Sequence, residues 1–374
     1  MVHFVSVYWP LLAVVAETIG GWRLLFPVGM NPHIEAAIGE LAQWAEGMVE
    51  VVIPARNEAV SLPYLLASLA SQDGVRFRTT VIDDRSSDAT IQVAGSFGCR
   101  VLRVQERLGN NPKAAALAAW TPLASTRIVI FLDADVKLVD SRALSRLVAE
   151  AGLHPKDLIS VQPFHRMVRA YEQAAFFPNL IAVIASGAFL PARRSQSRAA
   201  FGPVLCCWVE RYREIGGHRA VTDAILDDQA LGARFRDAGG SVLLMAGRGW
   251  IEFRMYPNGF ASLLEGFRKN LVTGAFSVRG VGALVATFIV VAELAAAVAL
   301  ARSGWSRLPA ASAVLGIVCL ATTLTARRIG SFRWYSVVAQ LAYLVIFLWL
   351  VASSGVDVLR GQTHWRGQTM RMRR

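Results

Sequence analysis

The chain has 374 residues, 54% of them apolar, with a mean hydropathy of +0.41 and a formal charge of +12. This composition exceeds the apolar share of an ordinary soluble domain and excludes a disordered or fibrous chain. Only four of the cations are lysines, at 113, 137, 156 and 269. Arginine beside long apolar runs, with no interleaving of aromatic and basic residues, favours anionic lipid and anionic substrates over nucleic acid.

The first apolar segment, Phe4 to Leu25, carries Glu17, Gly20, Gly21 and Arg23 in its second half. It lacks a basic leading region and a small-residue cleavage site, so a retained membrane anchor is expected over residues 1–26. From Val49 the pattern changes to alternating strand and helix. Strands are predicted at Val49–Ile53, Thr79–Ile82 and Arg100–Val104, and helices at Glu58–Ser71, Ala89–Phe97 and Lys113–Ala124. A further apolar run begins at Ile128. Strands separated by helices of this length imply parallel βαβ units with right-handed crossovers, hence an α/β catalytic domain, Rossmann-like with a mostly parallel sheet, over 48–278. No glycine-rich dinucleotide fingerprint follows the first strand.

The apolar run Ile128-Val129-Ile130-Phe131-Leu132 stops at Asp133-Ala134-Asp135. The two carboxylates can serve one hard cation, Mg²⁺ or Mn²⁺, only if the strand ends and the chain bends there. The first strand is followed by Pro54-Ala55-Arg56-Asn57-Glu58 and the second by Asp83-Asp84-Arg85-Ser86-Ser87-Asp88. In a parallel sheet these tips share the edge that carries Asp133 and Asp135. Asp88 reads as a cap of the following helix. The loop Gly109-Asn110-Asn111-Pro112-Lys113 feeds a helix whose amides and lysine could meet a phosphate, or whose lysine is simply solvated.

Ala174 to Pro191 is apolar yet lies within the catalytic region, which predicts a buried or interfacial helix near 174–191. The four cysteines, at 99, 206, 207 and 319, have no metal-ligand spacing and read as reduced and structural. His165 and His218 are candidates either for the acceptor site or for hydrogen-bonded structural roles. Asp227-Asp228 precedes a helix over Gln229–Ala238; a carboxylate base and a dipole-favoured helix start are both open at that position. Leu284–Ala301, Leu308–Ala326 and Val337–Ala352 approach the length needed to cross a bilayer, which predicts membrane helices over 280–356 and a basic tail over 357–374. Arg268, Lys269 and Arg279 before the first span, and Arg327, Arg328 and Arg333 before the last, fit a catalytic domain facing the cytoplasm. Three full spans put Arg360, Arg366, Arg371, Arg373 and Arg374 on the other side, against that tendency, unless one run is re-entrant; both arrangements stay open.

Taken together, Val52-Ile53-Pro54-Ala55-Arg56-Asn57-Glu58, Asp83-Asp84, Lys113, Asp133-Ala134-Asp135 and Asp227-Asp228-Gln229-Ala230-Leu231 resemble the motifs of family 2 glycosyltransferases, in order and spacing, over residues 49–275. The resemblance implies a GT-A fold that binds a nucleotide-sugar, UDP-linked by expectation. Glu58 and one or both of Asp83 and Asp84 are the implied nucleoside contacts, with Pro54 and Arg56 beside them. Asp133 contacts the nucleotide-sugar, Asp135 holds the metal on the diphosphate with Asp133 near it, and Lys113 assists the phosphates. Asp228 matches the family's catalytic carboxylate and Asp227 stands where Glu is usual. Arg268 or Lys269 supplies diphosphate contacts or a membrane-facing basic patch.

A narrower likeness, carried by Phe253-Arg254-Met255-Tyr256, Gly216-Gly217-His218 and His364-Trp365-Arg366-Gly367, is to the membrane-bound bacterial branch that includes the diaponeurosporenoate glucosyltransferase of carotenoid biosynthesis. It implies glycosylation of a lipidic acceptor, such as a carotenoid, isoprenoid or glycerolipid, by a hexose; in-line attack assisted by the Asp228 carboxylate predicts inversion at the anomeric carbon. Glu265-Gly266-Phe267-Arg268-Lys269-Asn270 stands where polymerising members carry Gln-x-x-Arg-Trp, which disfavours processive synthesis. A polysaccharide synthase subunit and a non-catalytic nucleotide-sugar-binding membrane scaffold are the alternatives.

Overall fold

The computed structural model describes residues 48–106, 108–186, 200–277, 281–365 and 368–371. The anchor expected over 1–26, the end of the helix expected near 174–191 and the last residues of the tail lie outside the described residues.

In chain order, β1 (Val49–Ala55) leads to α1 (Leu62–Ala70), β2 (Phe77–Asp83), α2 (Thr90–Ser96), β3 (Arg100–Arg103) and α3 (Pro112–Trp120). Next come β4 (Ile128–Leu132), β5 (Val136–Leu138), α4 (Ala143–Leu153), β6 (Leu158–Gln162) and the short β7 (Phe164–His165). They are followed by α5 (Phe176–Ala185), β8 (Val204–Trp208), α6 (Val209–Glu214), α7 (Asp227–Asp237), β9 (Val242–Ala246) and β10 (Ile251–Phe253). The chain ends with α8 (Phe260–Ser277), α9 (Val281–Ala301), α10 (Leu308–Ala326), α11 (Ser336–Leu359) and the hairpin of β11 (Gln362–Trp365) and β12 (Gln368–Arg371). The described residues form two compact units, one of 48–164 with 200–255 and one of 165–186 with 256–371. Residues 165–186 and 256–277, read from the sequence as part of the catalytic domain, thus group with the C-terminal helices.

The first unit is built on a seven-stranded sheet of order β3-β2-β1-β4-β8-β6-β9. β3, β2, β1 and β4 pair in parallel, as do β6 and β9, while β8 runs antiparallel to both of its neighbours. The order turns back between β1 and β4, and a ligand crevice forms outside the carboxyl ends of strands at such a point. All five residues of β4 are buried, because the sheet is covered on both faces, and Trp120 of α3 meets Phe131 edge-on with ring centroids 5.6 Å apart. Glu50 is a charged residue inside the apolar β1. Its two carboxylate oxygens accept bonds of 2.7 Å from Arg78 Nη2 and 2.7 Å from the Thr80 hydroxyl, which makes its burial tolerable. Cys206 and Cys207 are buried free thiols on β8, and burial pushes both thiols up, which leaves them protonated and inert.

The second unit holds three helices long and apolar enough to cross a bilayer, Gly282–Ala301, Leu308–Ala326 and Ser336–Leu359. Polar groups buried among such helices need partners. Glu293 accepts from Gln340 Nε2 at 2.5 Å, and the Thr323 hydroxyl donates to Gln340 Oε1 at 3.2 Å. Arg268 of α8 forks onto Asp357 of α11, with Nε and Nη2 at 2.7 and 2.6 Å from its oxygens. α5 is buried in the same unit, with Phe176 against Phe332 at 5.0 Å and Phe177 against Phe347 at 6.0 Å between centroids. His165 is also enclosed here, 1% exposed, and burial brings its imidazole down to about 4, so it is neutral.

Candidate active site

The site is assembled on strand ends of the first unit. The turns after β1 and β2 are laced together by short bonds. The Asn57 amide donates to Ser86 Oγ at 3.0 Å, Asn57 Oδ1 accepts from the Ser87 amide at 2.8 Å, and the Glu58 amide donates to Thr90 Oγ1 at 2.8 Å. Asn57 and Arg85 sit at φ of 54° and 58°. Asn tolerates that region; Arg is held there by its surroundings, as residues at functional turns often are. Asp84, 4% exposed, lies between Arg56 Nη1 at 3.4 Å and Arg85 Nε at 3.6 Å. Asp83, 2% exposed, accepts the Ser86 amide at 3.2 Å. These two carboxylates shape the turn that leaves Arg56 and Glu58 half-buried at its rim. Pro54 lies on β1 itself, half-buried, one residue before its end. Asp88 has the structural part expected of it, accepting the Thr90 amide at 3.0 Å and the Ala59 amide at 3.1 Å.

At the end of β4 the chain bends as two carboxylates on one cation require. The Val136 amide donates to the Asp133 carbonyl at 3.1 Å, and β5 then pairs with β10 in a separate sheet. Asp133 and Asp135 are half-buried while Ala134 between them is buried. Among the described residues no three His, Cys, Asp or Glu side chains gather as a metal cluster. Two carboxylates nevertheless suit a hard cation that arrives on a diphosphate, since Mg²⁺ is commonly held by one or two carboxylates, waters and substrate phosphates. The donor set therefore fits Mg²⁺ or Mn²⁺.

Lys113 links this end to a second carboxylate pair. Its Nζ lies 2.5 Å from Asp133 Oδ1 and donates to the Gly202 carbonyl at 3.0 Å. Burial works against its charge, but Asp133, Asp227 and Asp228 outweigh that and hold the ammonium above the ordinary lysine range. Gly202 is brought here because β8 is antiparallel, so its amino end meets the carboxyl end of β4; the Asp133 amide donates to the Pro203 carbonyl at 2.9 Å. Asn111, 1% exposed, caps α3 by accepting from the Lys113 and Ala114 amides at 3.0 and 3.1 Å. Its amide nitrogen donates to Asp227 Oδ1 at 3.0 Å, so one buried side chain fixes both the lysine helix and the second acidic tip.

Asp227 and Asp228 open α7, where the helix dipole favours negative charge. Asp227 is buried and Asp228 half-buried, with the Gln229 amide donating to Asp228 Oδ1 at 2.8 Å. Burial and then the neighbouring Asp227 charge push the Asp228 carboxyl up to about 6, while Lys113 opposes the rise. A partly buried carboxylate poised near neutrality beside a cation is equipped to accept a proton.

Residues 50–176 match the family model described as Glycosyl transferase family 2. The chain carries a family 2 glycosyltransferase domain. Two curated relatives align with it and beyond it. The 4,4'-diaponeurosporenoate glycosyltransferase of Staphylococcus haemolyticus (strain JCSC1435) is 35% identical over 61% of this chain and 62% of its own length. The protein of that name from Staphylococcus aureus (strain USA300) is 34% identical over 60% of this chain and 61% of its own. The chain thus spans less than two thirds of the length of either relative. A mannosyltransferase from Pyrobaculum calidifontis, solved in complex with GDP-Man and Mn²⁺, covers 94% of this chain and 99% of its own at 17% identity, with a TM-score of 0.50. The likeness shows that the glycosyltransferase domain has a GT-A-like α/β fold.

In the glycosyltransferase domain, Asp133 pairs with Lys113 and Asp228 acts on the same ammonium electrostatically; Arg268 and Lys269 lie on α8 of the second unit. Three residues to which the sequence reading gave no role complete the arrangement. Asn111 lay in the loop read as feeding the Lys113 helix, Gly202 in the Phe201-Gly202-Pro203 stretch that adds to the narrower likeness, and Tyr212 in a stretch with no motif of its own. His218 is fully buried and bonded to Tyr212, which rules out contact with an acceptor and takes the structural side of its two readings. Gly202 carries its own prediction. A Cβ there would lie 3.0 Å from Asp228 Oδ2 and 3.2 Å from its Cβ, so Gly202→Ala displaces that carboxylate. Turnover is expected to fall by roughly 10-fold or more, since a ~1 Å misplacement can cost ~10²-fold. The thermal midpoint should move by only a few degrees, and kinetics alongside a melting curve check both.

Proposed function

We propose that the protein is a membrane-bound inverting glycosyltransferase that moves one hexose from a UDP-linked nucleotide-sugar to a lipid of carotenoid, isoprenoid or glycerolipid type. The observation that carries this reading is the Lys113 ammonium paired with Asp133 and within electrostatic reach of Asp227 and Asp228, with Asn111 tying the start of the Lys113 helix to Asp227. The names of the staphylococcal relatives support a carotenoid carboxylic acid as the acceptor class. Three apolar helices support delivery of that acceptor from a bilayer, and Arg327, Arg328 and Arg333 support a cytoplasmic catalytic side.

On this reading Glu58, Arg56 and the Asp83–Asp84 turn bind the nucleoside. Lys113, at the amino end of α3, meets the diphosphate as a point charge, on a helix start whose Lys113 and Ala114 amides are capped by Asn111. Asp133 and Asp135 would hold Mg²⁺ or Mn²⁺, which when bound supplies charge neutralisation at the departing nucleoside diphosphate; the complex of the Pyrobaculum mannosyltransferase with GDP-Man and Mn²⁺ is in keeping with this. Asp228 takes the proton of an acceptor hydroxyl on the face opposite the leaving group, which inverts the anomeric carbon. A carboxylate acceptor arrives already ionised, and Asp228 then serves to orient it.

Detergent-solubilised protein given a panel of radiolabelled nucleotide-sugars and a membrane lipid extract should label one lipid product, and Asp135→Ala should abolish the label. Absence of transfer with every donor, or undiminished transfer by Asp135→Ala, overturns the proposal. A ladder of chain lengths would point instead to polymerisation.

A further inference from the structure

Asp227 has one carboxylate oxygen accounted for and one that is not. Oδ1 accepts from Asn111 at 3.0 Å, whereas Oδ2 is buried without a hydrogen-bond partner. Facing it at 4.0 Å is His218 Nε2, which is likewise buried and unpartnered, on a side chain 0% exposed. A buried acceptor and a buried ring nitrogen, each costly to leave unpaired, thus face each other across a short gap.

The other edge of the ring says which atom carries the proton. Tyr212 Oη lies 2.8 Å from His218 Nδ1 and accepts the His218 backbone amide at 2.9 Å. Thr121 Oγ1 also lies 3.2 Å from this hydroxyl; with Thr121 and the His218 amide both donating to Tyr212 Oη, the phenolic hydrogen, which burial keeps on the oxygen, goes to Nδ1. An accepting Nδ1 on a neutral ring leaves the hydrogen on Nε2, aimed at Asp227 Oδ2. Burial, with Lys113 adding to it and Asp227 opposing, brings the imidazole down to about 4, so the ring is neutral. Phe131 packs edge-on against the ring at 5.0 Å between centroids and Tyr212 at 5.6 Å, which holds its plane.

We propose that His218 is a positioning residue for glycosyl transfer, closing its Nε2–H onto Asp227 Oδ2 so that Asn111 and His218 grip the two oxygens of one carboxylate and thereby fix Asp228, the next residue, against the acceptor. The gap of 4.0 Å exceeds a hydrogen bond, so the grip tightens from this geometry by a small movement of the α7 start. Asp227 never touches the reacting atoms in this arrangement. It transmits the position of a buried aromatic cluster to the base.

The kinetic arm of the test rests on the glycosyl-transfer reading; the spectroscopic arm does not. His218→Leu keeps bulk without a donor, and His218→Gln offers an amide N–H where Nε2–H was. Expected is a roughly 10-fold to 10²-fold loss of kcat in His218→Leu at unchanged donor KM, with most of it restored in His218→Gln. Equal kinetics in the two variants, or a loss confined to the melting temperature, overturns the role. Full-length protein labelled with ¹⁵N-histidine in lipid nanodiscs should show the His218 resonance, assigned by its disappearance in His218→Gln, as the neutral Nε2–H form. That resonance should shift in Asp227→Asn. An Nδ1–H form, or a signal indifferent to Asp227→Asn, overturns the inference even if transfer is observed. The expected spectrum from a protein that transfers no sugar upholds the clamp and removes only the assigned reaction.

Discussion

Asp228→Asn should lower turnover on a hydroxyl acceptor by ~10² to 10⁴-fold, the usual worth of a positioned general base. The amide is nearly isosteric and keeps the Gln229 amide bond and the close approach to Gly202, so the fold and donor KM should hardly change. What it loses is the ability to take a proton. The wild-type pH profile carries the complementary signature. Burial and the Asp227 charge raise the Asp228 carboxyl to about 6, and a base acts only when deprotonated. Activity should therefore be present above that value and fall as pH drops through it, with the acid limb absent from the residual activity of the Asn variant. The same variant discriminates acceptor classes. A carboxylic acid acceptor needs no proton removed near neutrality, so with it the loss should shrink and the acid limb should flatten. Wild-type turnover by Asp228→Asn on a hydroxyl acceptor would remove this residue from the chemistry.

Much of this site was readable before any coordinates, for a definite physical reason. The Ile128–Leu132 run reads as a buried strand, and two carboxylates at its end can share a cation only if the chain bends, which is where β4 stops and β5 leaves for another sheet. The tips after β1 and β2 follow from parallel βαβ connections alone. What was not readable depends on strand direction and on partners distant in sequence. An apolar strand looks the same run either way, so nothing in Val204–Trp208 says that β8 is antiparallel and delivers Gly202 to Lys113. Asn111 reads as turn chemistry because its partner Asp227 is 116 residues away. The fork of Arg268 onto Asp357 is hidden for the same reason, since its partner lies 89 residues on, in α11. Residues 165–186 stand between catalytic-domain motifs in the sequence, yet Phe176 and Phe177 pack with Phe332 and Phe347 of the second unit.

Lys113→Met should lower kcat by roughly 10²-fold, the scale on which one preorganised charge-stabilising donor acts. It should also move the acid limb of the profile. Methionine keeps an apolar stem of similar length and deletes only the ammonium that sits 2.5 Å from Asp133 and bonds the Gly202 carbonyl. Asp133, Asp227 and Asp228 then lose the ammonium on which all three charges act. Because the Lys113 charge opposes the rise of the Asp228 carboxyl, its removal must raise that carboxyl further. The acid limb should shift to higher pH, the reverse of what simple loss of leaving-group assistance would do, since that lowers the plateau and leaves the limb in place. Lys113→Arg separates the two parts of the role. It restores a positive charge and should return the limb, but a planar fork cannot occupy the place of a compact ammonium between Asp133 and the Gly202 carbonyl, so the plateau should remain depressed. A plateau loss in Lys113→Met with an unmoved limb would mean that the lysine serves the diphosphate alone and that the base is tuned only by its burial and by Asp227.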